Sequence, residues 1–65
     1  MRLVMFELAY GGRIMVNPDY VYLLEQSTDG VRIYLAPGEG KKNYTLKERD
    51  IWAVSRQLTE EESNG

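Results

Sequence analysis

Hydrophobic and polar residues alternate along most of this chain, which is the pattern of β-strands with one buried face. The first strand is predicted over residues 3–10, and four of its apolar side chains fall on one face: Val4, Phe6, Leu8 and Tyr10. Gly11 and Gly12 predict a two-residue turn, and "RIMV" (13–16) predicts the returning strand. The first sixteen residues therefore predict a β-hairpin.

A third strand is predicted over "YVYLLEQ" (20–26), because Pro18 cannot continue a central strand and ends the one before it. Strict alternation divides its apolar side chains into two sets, with one face carrying Tyr20, Tyr22 and Leu24 and the other carrying Val21 and Leu23. Since both faces are apolar, the sequence predicts a strand in the middle of the sheet or at an interface.

Two further strands follow a turn at "STDG" (27–30). In "VRIYL" (31–35) three aliphatic side chains should point inward, Val31, Ile33 and Leu35, while Arg32 and Tyr34 point outward. "APGEGKK" (36–42) is expected to form a loop, and "NYTL" (43–46) the last short strand.

The carboxyl end changes from the two-residue period to a helical one. Thr45 and Glu48 have the spacing of a capping box, with Thr45 as N-cap. Ile51, Val54 and Leu58 then form one apolar stripe of an amphipathic helix. Residues 59–65 are polar and predict a disordered acidic tail.

These elements predict one small α+β domain over residues 1–58. We expect a strongly twisted antiparallel sheet, or a partly open barrel, of four to five strands with one C-terminal α-helix. A chain of 65 residues has no room for a second domain.

The amino-acid inventory excludes much chemistry. The chain has no cysteine and no histidine, which excludes disulfides and thiolate zinc sites and removes the usual general base. Nothing in the spacing of Glu7, Asp19 and Glu25 predicts a pair of carboxylates. "PGEGKK" lacks the upstream glycine and the serine or threonine of a phosphate-binding loop. We therefore expect no enzyme activity, no metal and no cofactor.

Charge is spread unevenly along the chain. Of ten acidic residues, three are the consecutive Glu60, Glu61 and Glu62, so residues 1–58 carry eight basic and seven acidic side chains. This body lacks the strongly basic surface of a dedicated nucleic-acid binder. No stretch is apolar enough to span a membrane, and the amino terminus has no convincing signal peptide, so we expect a soluble cytoplasmic protein.

Aromatic side chains are the strongest candidates for a binding surface. Tyr20, Tyr22 and Tyr34, with Arg32 and Trp52, are predicted to contact a partner, because tyrosine, tryptophan and arginine are enriched at the centres of protein interfaces. Two alternatives stay open at this point. The aromatic residues could fill the rim of a small core, or they could stack nucleic-acid bases beside Arg13, Arg32 and Lys42.

The order of the motifs resembles the FlbD/SwrD family of small flagellar and swarming-motility proteins, or a related phage-encoded small β-rich protein. The similarity covers roughly residues 4–58. It rests on a strand ending in Gly-Gly-Arg, then "IMVNPDYVYLLEQ", then "DGVRIYLAPGEGKKNYTL" and a helix with Glu48. The resemblance implies no catalytic residues and no cofactor.

Together these observations predict a small non-enzymatic adaptor or regulator, bacterial or phage-encoded, that binds a protein partner. Its contact would be a sheet edge, which could also pair with a second copy, or the aromatic surface. A nucleic-acid-binding small barrel is the first alternative. A phage inhibitor of a host protein, with the acidic tail imitating nucleic acid, is the second.

Overall fold

The computed structural model describes residues 2–36 and 42–59, in which there are five strands and one α-helix. The elements are β1 (Val4–Glu7), β2 (Arg13–Val16), a 3₁₀ turn (Pro18–Tyr20), β3 (Val21–Ser27), β4 (Gly30–Leu35), β5 (Lys42–Thr45) and α1 (Ile51–Thr59). Strands β1 and β2 form one antiparallel sheet, and β3, β4 and β5 form another in that order. The predicted small α+β fold is confirmed, and the strands do not close into a barrel.

Two predicted segments lie outside the described residues: most of the loop at 36–42 and the acidic tail after Thr59. Within the described part of the chain, α1 is too short to cross a membrane, and there is no other α-helix.

The connection between β1 and β2 is longer than the predicted two-residue turn. The register places Glu7 opposite Arg13, and the Gly11 amide donates a hydrogen bond to the Leu8 carbonyl (3.2 Å). Gly11 has φ +103°, a value that L-residues rarely adopt. The chain therefore turns before Tyr10 can join the buried face, and the Tyr10 side chain is 81% exposed, contrary to the prediction.

A short backbone junction joins the two sheets. Leu8 forms an isolated antiparallel bridge with Leu46. The Ala9 amide donates to the Thr45 carbonyl, and the Lys47 amide donates to the Glu7 carbonyl, both at 2.9 Å. In the described residues the strands thus follow the order β2-β1-β5-β4-β3, with β2 and β3 at the two outer edges.

One apolar core receives side chains from both sheets, the junction and the helix: Phe6, Val16, Val31, Ile33, Leu46 and Val54. The predicted inward positions of Val31 and Ile33 are confirmed. So is the helical stripe, since Val54 is fully buried and both Ile51 and Leu58 pack against the core.

The predicted capping box is wrong. Thr45 is the last residue of β5, and its carbonyl is used in the junction between the sheets. The helix begins six residues later. There the Asp50 carboxylate accepts a hydrogen bond from the Trp52 amide (3.0 Å), and the Asp50 carbonyl accepts one from the Ala53 amide (3.0 Å). Asp50 is therefore the N-cap.

Strand β3 carries a β-bulge that the alternating pattern did not predict. Val21 pairs with Leu35, but Leu23, not Tyr22, pairs with the next residue, Tyr34. The extra residue shifts the phase of the strand. As a result Val21 and Leu24, predicted on opposite faces, both pack against the core, while Tyr22 and Leu23 are about half exposed (50% and 48%).

Candidate partner-binding surface

Three of the five predicted binding residues come together on the outer face of the three-stranded sheet. The rings of Tyr22 and Tyr34 have centroids 6.2 Å apart and planes tilted by 55°. The Tyr34 hydroxyl donates a hydrogen bond to Glu25 Oε1 at 2.8 Å, and Arg32 Nη1 lies 3.4 Å from the same oxygen. We call these four residues, Tyr22, Glu25, Arg32 and Tyr34, the tyrosine cluster.

Strand pairing explains why this cluster forms. The β3–β4 register places Glu25 opposite Arg32, and residues that face each other across two strands project from the same side of the sheet. The bulge brings Tyr22 to that side as well. Hydrogen bonding with Tyr34 is the main cause that raises the pKa of Arg32, and Glu25 adds to it. A guanidinium is charged at neutral pH without any such shift, and Glu25 is its counter-ion here.

Trp52 lies on the helix, beside an apolar groove. The larger part of this groove has a volume of about 270 Å³ and is bounded by β3, the turn before it and the end of α1: Pro18, Val21, Tyr22, Leu23, Leu24, Ser55, Leu58 and Thr59. A second depression of about 200 Å³ shares two of those residues and extends to Trp52: Leu24, Ile51, Trp52 and Ser55. We call the two together the β3–α1 groove.

The exposed apolar side chains along this groove have no role in the core. Trp52 is 71% exposed, and Tyr22 and Leu23 are about half exposed. Tyr22 and Leu23 belong to β3, an outer strand among the described residues, and Trp52 lies on the neighbouring helix α1. The groove and the tyrosine cluster meet at Tyr22, so they form one continuous surface.

Tyr20 is the predicted residue that the structure places apart. It ends the 3₁₀ turn, and its carbonyl accepts a hydrogen bond from the Ala36 amide (2.8 Å). Its side chain is 49% exposed, but it lines neither depression of the groove.

Sequence reasoning missed two residues of this surface. Leu23 was assigned by alternation alone, and no local signal identifies the bulge that exposes it. Glu25 could have been found, because a two-residue turn pairing Ser27 with Gly30 places Glu25 opposite Arg32 by counting along both strands.

A groove of about 550 Å³, larger than either depression of the β3–α1 groove, lies between β1 and the segment before the helix. It is lined by Met5, Phe6, Glu7, Lys47, Glu48, Arg49 and Gln57. Two of its charged groups already have structural partners. The Glu48 carboxylate accepts hydrogen bonds from the Arg49 and Asp50 amides (3.1 and 3.0 Å), and the Arg49 guanidinium donates to the Thr28 carbonyl (2.6 Å). This groove is therefore a weaker candidate than the apolar one.

No cluster of three or more acidic side chains able to hold a metal ion is present in residues 2–36 and 42–59. Comparisons with protein-family models, with curated proteins and with solved structures find no match to this chain. The resemblance to the FlbD/SwrD family therefore stays a prediction.

Proposed function

We propose that this chain is a small non-enzymatic adaptor or regulator that binds a protein partner through the β3–α1 groove and the tyrosine cluster. The observation that carries the proposal is the strip of exposed apolar side chains formed by Tyr22, Leu23 and Trp52. Apolar surface concentrated around a groove, and not scattered singly, is typical of interaction sites.

The bulge favours one of the two binding modes considered from the sequence. An added strand needs a regular row of free backbone groups along the edge, and a bulge interrupts such a row. The same bulge turns two consecutive apolar side chains, Tyr22 and Leu23, outward. We therefore favour a partner held by side chains in the groove over one that extends the sheet.

A nucleic-acid interface is less well supported. Arg32 is paired with Glu25. Arg13 lies on β2, at the other outer edge of the described strands, so it is not gathered with Arg32 into one basic surface. Affinity for nucleic acid comes largely from lysine and arginine that are free to contact phosphates.

The proposal is tested by comparing partner capture by two matched variants, Leu23→Asp and Met15→Asp. Both wild-type side chains are apolar, exposed and on outer strands (48% and 58% exposed), but only Leu23 lines the groove. Each tagged protein is incubated with bacterial lysate, in parallel samples with and without nuclease, and bound proteins are quantified by mass spectrometry. We expect Leu23→Asp to weaken capture by roughly thirty-fold, as for an interface residue contributing about 2 kcal/mol, and Met15→Asp to leave it unchanged.

Equal loss in both variants, or no loss in either, would contradict the proposal. Circular dichroism of each variant separates loss of binding from loss of fold. Captured material that disappears on nuclease treatment would instead support the nucleic-acid alternative.

A further inference from the structure

We infer that strand β2 pairs with β2 of a second copy of this chain, antiparallel and about a two-fold axis at Ile14. This inference is separate from the proposed function, because it uses the opposite outer edge of the described strands. It is carried by the direction of the backbone groups along β2 and by the one charge on that strand.

The hydrogen bonds of the hairpin show which backbone groups of β2 are used inside the sheet. The Leu8 amide donates to the Gly12 carbonyl at 2.9 Å, so these two residues form a hydrogen-bonded pair. In an antiparallel ladder such pairs alternate with pairs that are not hydrogen-bonded. Counting along the register, Ile14 and Val16 are the residues of β2 that direct their backbone groups at β1.

Arg13 and Met15 therefore direct their amides and carbonyls away from the sheet. The other side of the first strand agrees with this alternation, since the Glu7 carbonyl and the Ala9 amide bond to the β5 side. Within residues 2–36 and 42–59, no backbone group bonds to the outward groups of Arg13 and Met15. These groups form a short, unpaired edge.

This edge is the more regular of the two outer edges. The β1–β2 register runs through all of β2 without a shift, whereas β3 is interrupted by its bulge. Residues 13–16, "RIMV", contain neither proline nor lysine, which many proteins place on exposed edges to prevent pairing. Strand β2 is therefore better suited than β3 to accept another strand.

The groups available on β2 select one register for pairing with itself. Outward groups bond only to outward groups, so odd-numbered residues must face odd-numbered residues of the second copy. An axis at Arg13 would place two guanidinium groups opposite each other. An axis at Met15 would need the Asn17 carbonyl, which already accepts from the Tyr20 amide at 3.0 Å. An axis at Ile14 pairs Arg13 with Met15 in both directions and uses every outward group of the two residues.

The side chains suit this register on both faces of the sheet. On the outer face, Met15 lies opposite Met5, and the two are 58% and 48% exposed. The aliphatic stem of Arg13 from the second copy would cover Met15 there. On the inner face the two Ile14 side chains, each half-buried beside the core, would meet. Because the paired segment is short, we expect a weak, reversible dimer.

The test compares two variants that replace the same apolar side chain, Met15→Glu and Met15→Lys. With the axis at Ile14, residue 15 faces Arg13 of the second copy, so glutamate forms two symmetry-related ion pairs and lysine forms two repulsive ones. The glutamate variant should dimerise more tightly than the lysine variant by about two- to thirty-fold, the range for two cross-strand ion pairs. The Met15→Asp control used above also places an acidic group there, so it does not disrupt this pairing.

Sedimentation equilibrium of the full chain, from about 10 μM to about 1 mM, measures each dissociation constant in the range of a small interface. A mixed sample of isotope-labelled and unlabelled wild-type chains should show an NMR contact between the Ile14 α-protons of the two copies. Circular dichroism checks that both variants fold. Leu23→Asp, at the other outer edge, is the matched control and should leave the dimer unchanged.

Equal dissociation constants for the two charged variants would overturn the inference, since an axis at Met15 would make both side chains face their own copy. No association of the wild type at the highest concentration would also overturn it, as would dimerisation that depends on Leu23 and not on residue 15. None of these results bears on the proposed function, which is tested by capture of a different protein.

Discussion

At Gly30 the backbone leaves no room for a side chain. A Cβ atom there would lie 2.1 Å from the Leu46 carbonyl oxygen and 3.3 Å from the Glu48 carbonyl oxygen. The residue also has φ +145°. This close approach lets the segment after β5 hydrogen-bond to the start of β4, where the Leu46 amide donates to the Val31 carbonyl and the Val31 amide to the Glu48 carbonyl.

Gly30→Ala should therefore lower the free energy of unfolding by about 2–4 kcal/mol, because overpacking against backbone adds to the strain of the positive φ. Gly11→Ala is the matched control, since its φ is also positive but no atom lies within 4 Å of the added methyl group. It should cost only about 1–2 kcal/mol. Urea denaturation measures both, and equal losses would show that crowding at Gly30 is not the cause.

At the scale of the element, the start of helix α1 is held by its own N-cap and by a side chain from β3. Gln26 Nε2 donates to the Arg49 carbonyl at 2.9 Å, and Gln26 Oε1 accepts from the Ile51 amide at 3.3 Å. Asp50 caps the next amide, that of Trp52. The helix is thus fixed relative to the strand that forms the other wall of the groove.

Removing the cap with Asp50→Ala should lower the free energy of unfolding by about 1 kcal/mol, the usual loss for an aspartate N-cap. Arg56→Ala, an exposed change in the same helix, should stay within about 0.5 kcal/mol. Chemical denaturation of the two variants distinguishes them. A loss at Asp50 no larger than that at Arg56 would contradict the assignment of a stabilising N-cap to Asp50.

The elements also show how far sequence reasoning reaches. The stripe of Val54 and its neighbours was predicted because helical periodicity is local. The helix start was predicted wrongly, because the Thr45 carbonyl accepts a hydrogen bond from the Ala9 amide, thirty-six residues away, and Thr45 therefore stays in β5. The bulge in β3 was missed because apolar residues on both faces leave the phase of the strand undetermined.

The same limit applies to the candidate surface. Arg32 and Tyr34 were placed on the outer face from alternation, and that placement is confirmed. Tyr22 joins them only because of the bulge in β3. Trp52 lies beside the groove only because helix α1 packs against β3. Both are tertiary features, so the sequence could name these side chains but not the groove they share.

At the scale of the molecule, Leu46 lies at the junction between the two sheets and in the core beneath them. It is fully buried and forms a backbone bridge with Leu8, the residue that follows β1. Its side chain belongs to the core shared by both sheets and the helix. A two-stranded hairpin has little stability alone. The β1–β2 sheet therefore depends on this junction and on the core for its stability.

Leu46→Ala should lower the free energy of unfolding by about 2–5 kcal/mol, as for other buried leucines. In the wild-type chain, amide hydrogen exchange should give similar opening free energies for the strand residues Phe6 and Ile33, one from each sheet. Much faster exchange at Phe6 would contradict the expected cooperativity and show that the hairpin opens by itself.

The exposure of Trp52 has an optical consequence. It is the only tryptophan in the chain, and its indole lies in water at the lip of the groove in the folded protein. Its emission will therefore change little when the chain unfolds, but it should shift to shorter wavelength and resist quenching by iodide when the groove is filled. The protein carries its own fluorescent label at the candidate site, insensitive to folding and sensitive to occupancy.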